Sequence, residues 1–109
     1  MVEFLDDTNF DTEIANLNTP IIVEFQSLDY CQPCKTMAPI IDEIAEDYIG
    51  RVRVVKIEAE DADNLTARYS IRSIPTVLFI NNGVVVDQTV GLQTKTKLID
   101  KLDKMLLDS

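Results

Sequence analysis

Ile21 to Phe25 read IIVEF, an almost wholly apolar and β-branched run. Such a run is a strand with protein packed on both of its faces, which requires a sheet covered by helices above and below. From Cys34 to Tyr48 the apolar residues Met37, Ile40, Ile41, Ile44, Ala45 and Tyr48 recur at steps of three and four, so a long helix follows the strand. Pro39 is expected to kink it and Gly50 to end it. The rest of the chain alternates in the same way. VEFL (Val2 to Leu5) is a short strand candidate, and Thr8 with Asp11 resembles a capping signal for a helix burying Phe10, Ile14 and Leu17. RVRVVKIE (Arg51 to Glu58) predicts a third strand, and Asn64 to Tyr69 a short helix. TVLFI (Thr76 to Ile80) and VVVDQTV (Val84 to Val90), joined by Asn81, Asn82 and Gly83, predict an antiparallel hairpin. A last helix, from about Thr94 to Leu107, is expected to bury Leu98, Leu102, Met105 and Leu106. The order βαβαβαββα defines an α/β protein with helices on both faces of a mixed sheet.

At 109 residues the chain has room for one core, and a single domain over residues 1–109 is expected. The opening MVEFLDDTNF carries acids where a signal peptide carries basic residues ahead of a long apolar core, so a cytoplasmic location is expected. Nineteen acidic residues against ten basic ones give a formal charge of −9, which opposes binding to nucleic acid or to an anionic membrane. Histidine is absent, which removes the commonest general base near neutral pH and the commonest zinc ligand.

The only two cysteines stand in DYCQPCK, Asp29 to Lys35. A structural zinc needs four ligands of the Cys and His kind, and the chain offers two, so zinc would require an intermolecular site. A purely structural disulfide closing so short a loop would stabilise the fold by only about 2 kcal/mol, and a cytosolic thiol pool would tend to reduce it. A redox-active dithiol is the favoured reading. Its placement agrees: Cys31 falls just before or at the first turn of the long helix, and Cys34 one turn inside. Unpaired N–H groups and the helix dipole stabilise a thiolate at Cys31 and lower its pKa. Pro33 suits the first helical positions, where no N–H partner is needed.

Tyr30-Cys31-Gln32-Pro33-Cys34-Lys35, then MAPIIDEIAEDY, then IRSIPTVLF, NNG and TVGL resemble the motifs of the thioredoxin family, in order and over nearly the whole chain. The resemblance implies the thioredoxin fold, with a central five-stranded mixed sheet flanked by four helices. It implies thiol-disulfide exchange on protein disulfides, with Cys31 as nucleophile and Cys34 as the buried resolving thiol. No cofactor is implied beyond the Cys31–Cys34 disulfide itself. The implied partners are disulfide-containing proteins and a thioredoxin reductase, either NADPH-dependent through a flavoenzyme or ferredoxin-dependent, and the protein is expected to be a monomer.

The resemblance also implies a site. Ile74-Pro75 would be a cis peptide lying against the dithiol, and Tyr30, Gln32, Pro33, Ile74, Pro75, Val90 and Gly91 would form the surface on which a substrate chain docks as a short strand. Glu24 stands where thioredoxins carry a buried Asp and would take the proton from Cys34; Lys56 matches the lysine beside that acid and would balance its charge. The chain departs from the family in having Gln32 between the cysteines, Ser73 before Ile74, and no tryptophan. Those changes leave a second reading, a thioredoxin-like binding module that holds one protein partner without turning over disulfides.

Overall fold

All six residues of the strand Ile21–Gln26 (β2) are buried, because it lies at the centre of a five-stranded sheet. The structure, a computed structural model, describes residues 2–14 and 18–108. The other strands are Glu3–Leu5 (β1), Arg53–Glu58 (β3), Thr76–Asn81 (β4) and Val84–Val90 (β5), in the spatial order β1-β3-β2-β4-β5. β3 runs parallel to both β1 and β2, whereas β4 runs antiparallel to β2 and β5. The helices are Phe10–Ile14 (α1), Gln32–Asp47 (α2), Asp63–Arg68 (α3) and Lys95–Leu107 (α4), with a 3-10 turn at Ala59–Asp61.

Alternation along the strands sorts the apolar side chains into two cores. Ile21, Val23, Phe25, Val55 and Ile57 meet Phe10, Ile14 and Leu65 on the α1 and α3 side. Ile22, Val54, Val77 and Phe79 meet Met37, Ile41, Ile44, Leu98 and Leu102 on the α2 and α4 side. By the same alternation Glu24 and Lys56, each between residues of the first core, belong to the α2 side. Two polar links fix α2 to α4: the Tyr48 hydroxyl donates to Asp103 Oδ1 at 2.6 Å, and the Lys95 ammonium pairs with Glu43 and Asp47, each at 3.0 Å. They tie α2, which Cys31 caps and which contains Cys34, to α4.

The structure shifts several sequence expectations. The first helix is capped by Asp6, not Thr8: Asp6 Oδ1 accepts from the Thr8 N–H, the Thr8 hydroxyl and the Asn9 N–H. Leu17, expected in the same core stripe, lies outside the described residues. α2 continues through Pro39 and ends at Asp47, with Tyr48 as its C-cap, so Gly50 falls in the turn beyond. Leu106 is half-buried at the edge of the α2 side core. The Asn82-Gly83 turn behaves as expected of a tight hairpin, with φ of 53° and 80°, a pair of left-handed residues that matches the twist of β4 and β5.

Candidate active site

Cys31 is the N-cap of α2, in extended backbone, and its Sγ accepts a hydrogen bond from the Cys34 N–H at 3.1 Å. A cap residue satisfies one of the orphan donors of a helix start; here sulfur does so, and the same donor favours a thiolate once the disulfide opens. Pro33 occupies the first helical positions, where its missing N–H costs nothing. The two cysteines are joined to each other by a disulfide. Cys31 keeps the larger opening, 6% against 1% for Cys34. In the reduced protein Cys31 should therefore alkylate first with iodoacetamide at neutral pH, as adduct mapping by mass spectrometry will show; preferential labelling of Cys34 would invert the two roles.

A second segment closes on the pair. Cys31 Sγ lies 3.8 Å from the Ile74 carbonyl oxygen, and the Ile74-Pro75 peptide is cis. This turn is tied down on both sides: the Thr76 hydroxyl donates to the Ser73 carbonyl at 2.7 Å, and the Gly91 N–H donates to the Pro75 carbonyl at 2.8 Å. Gly91 adopts φ +85°, which a side chain would strain, so glycine keeps its N–H aimed at Pro75. Around the disulfide, Tyr30 (64% exposed), Gln32, Pro33 and Val90 are open to solvent, while Ile74 and Gly91 are half-buried. Pro75, between Ile74 and Thr76, is buried.

Glu24 is 1% exposed, and its Oε2 is buried without a hydrogen-bond partner. Burial pushes its pKa from an ordinary 4.5 up to about 7, with the Lys56 charge opposing the rise and the Asp42 charge adding to it. The strand register sets Glu24 beside Lys56, as expected of the acid and its lysine. The charge balance differs from the sequence reading, however, because the Lys56 ammonium makes its ion pair with Asp42 Oδ1 at 3.2 Å. Sequence reasoning missed Asp42, whose only signal was an acid on the polar edge of α2.

It also missed Gln26 and Ser27, both buried where the chain leaves β2 toward the cysteines. The Gln26 side chain donates to Glu58 Oε2 at 3.4 Å across the β2–β3 pair. A polar residue continuing an apolar strand inward was the signal available.

A disulfide at the N-terminus of a helix, packed against a cis-proline turn at the end of a mixed five-stranded sheet, places this chain among the thioredoxin-fold disulfide proteins. The family model described as Thioredoxin matches residues 1–104. The chain is 37% identical to Thioredoxin M-type, chloroplastic, of Pisum sativum over 105 residues, covering 96% of this chain and 60% of that protein. It is 37% identical to the Thioredoxin of Rickettsia felis over 106 residues, covering 97% of this chain and all of that protein, and 38% identical to Thioredoxin 1 of a Nostoc species over 100 residues, covering 92% of each. The chain spans about 60% of the length of the chloroplastic relatives it matches. It belongs to the thioredoxin family.

Proposed function

We propose that this chain is a protein-disulfide reductase that works by dithiol-disulfide exchange. The observation that carries the reading is the Cys31–Cys34 disulfide with Cys31 as the cap of α2. In the reduced form the Cys31 thiolate attacks one sulfur of a substrate disulfide, the substrate S–S bond breaks, and the departing substrate thiolate takes up a proton. Cys34 then gives its proton to Glu24, and its sulfur attacks Cys31. The mixed disulfide breaks, the Cys31–Cys34 bond forms, and the second substrate thiolate leaves and is protonated. Two electrons have passed to the substrate, and a thioredoxin reductase, NADPH-flavin or ferredoxin-dependent, returns the pair to the dithiol.

The substrate chain lies across Tyr30, Gln32, Pro33, Ile74, Pro75, Val90 and Gly91, with the backbone at Ile74 as its pairing edge. No cofactor other than the disulfide takes part. A net charge of −9 favours protein substrates over nucleic acid or an anionic membrane, and a reducing compartment, the cytoplasm, keeps the dithiol available to a monomeric carrier.

Insulin reduction by dithiothreitol tests the reading. The protein should accelerate the appearance of precipitated insulin chains, and a variant carrying Cys31→Ser and Cys34→Ser should lose the whole acceleration. A wild-type protein that gives no acceleration while still holding a partner would instead be a binding module.

A further inference from the structure

An open pocket of about 420 Å³ is lined by Val2, Phe4, Asp42, Ala45, Glu46 and Lys56. One of its walls belongs to the interior. The Lys56 side chain is 7% exposed, whereas its partner Asp42, across a 3.2 Å ion pair, is 58% exposed. The β2–β3 register sets Glu24 directly beside this lysine, yet Glu24 Oε2 remains buried without a hydrogen-bond partner. The cation that the sheet hands to Glu24 is thus held by a competing carboxylate at the surface.

We propose that Asp42 is a positioning residue, which holds the Lys56 ammonium at the wall of this pocket and so leaves the Glu24 carboxylate unpaired to accept the Cys34 proton. The inference rests on the reading of Glu24 as that acceptor.

Two physical arguments set the need for such a residue. A carboxylate in close contact with an ammonium is favoured in its charged form and becomes a weak base near neutral pH. An ammonium left alone in the interior is costly, and Asp42 removes that cost without spending Glu24. The charges acting on Glu24 are Lys56 from β3 and Asp42 from α2. Its neighbour on β4 is Val77, and α4 contributes the apolar Leu98 and Leu102 to this side of the sheet.

The test titrates the Glu24 carboxyl by carbon-13 NMR, its signal assigned by its loss in Glu24→Gln, beside the pH profile of mixed-disulfide resolution in single turnovers. In Asp42→Asn the Glu24 midpoint should fall by about one pH unit or more as Lys56 turns inward. The resolution profile should move with it, and Asp42→Glu should restore both. In a Lys56→Met background the effect of Asp42→Asn should shrink to a small fraction. An unmoved midpoint in Asp42→Asn overturns the proposal, and so does a shift of full size in the Lys56→Met background, which would mean that Asp42 acts by its own charge alone. A midpoint that falls while the resolution profile stays fixed upholds the hold of Asp42 on Lys56 and defeats instead the assignment of Glu24 as proton acceptor.

Discussion

Glu24→Gln is expected to leave the first attack on a substrate disulfide nearly intact and to slow release of the reduced substrate by about 10- to 10⁴-fold, the range that general-base catalysis covers. The asymmetry follows from where the two thiols sit. At the cap of α2 the Cys34 N–H favours the thiolate form of Cys31. Cys34, 1% exposed and one turn into the helix, has almost no open solvent to take its proton. Glu24, with a pKa of about 7, is poised to accept a proton at neutral pH, where an ordinary carboxylate is too weak a base. Glutamine keeps the shape and removes the acceptor. Rapid-quench trapping of the mixed disulfide measures the effect: the adduct on Cys31 should accumulate in the variant and pass quickly in the wild type. A folded variant in which it does not accumulate would remove Glu24 from the mechanism.

The parts of this site that were legible in the sequence are those written by local rules. An apolar, β-branched IIVEF specifies a strand buried on both faces, and all of β2 is buried. Spacing of three and four from Cys34 to Tyr48 specifies the helix that places one cysteine at its cap and the other inside. Asn82-Gly83 specifies its hairpin through two left-handed residues. What escaped was set by chain reversal and by contacts between distant segments. Asp6 caps α1 because the chain turns at residues 6–9, which let its carboxylate meet both the Thr8 and Asn9 amides. Thr8, nearer the apolar stripe, looked the better cap and instead donates to that same carboxylate. Lys56 and Asp42 come from different elements, so the family resemblance set the lysine beside Glu24 and gave no sign of the surface acid that holds it. Pro75 sits in a motif associated with docking, but its burial depends on how the 73–76 turn folds against Cys31 and Gly91.

The same carboxyl should make the protein less stable as pH rises from about 4.5 to about 7, and Glu24→Gln should abolish that loss. Below 4.5 Glu24 is protonated in both the folded and the unfolded chain and contributes no pH dependence. Between 4.5 and about 7 the unfolded chain has released the proton while the folded chain still holds it, so the folded state binds more protons and its stability falls with rising pH. Above about 7 both states are ionised and the deficit is constant, at about 3 kcal/mol for a shift of this size. Burial is the main cause of the shift, and the Lys56 charge offsets only part of it because Asp42 holds that ammonium. Asp6, Asp11 and Asp87 are shifted the other way, below 3.8, so they stabilise the fold above that pH and lose their effect only in stronger acid. They are common to both proteins and cancel in the comparison. Denaturant unfolding of the oxidised wild type and Glu24→Gln, at several pH values from 4 to 8, isolates the contribution of Glu24. The variant carries a buried amide at every pH, so its cost appears equally at pH 4 and pH 8. The stability of the variant relative to the wild type should therefore rise by about 3 kcal/mol between those two points. A difference that stays level across the range would mean that Glu24 titrates as an ordinary carboxylate in the folded protein, and the buried base would be lost along with it.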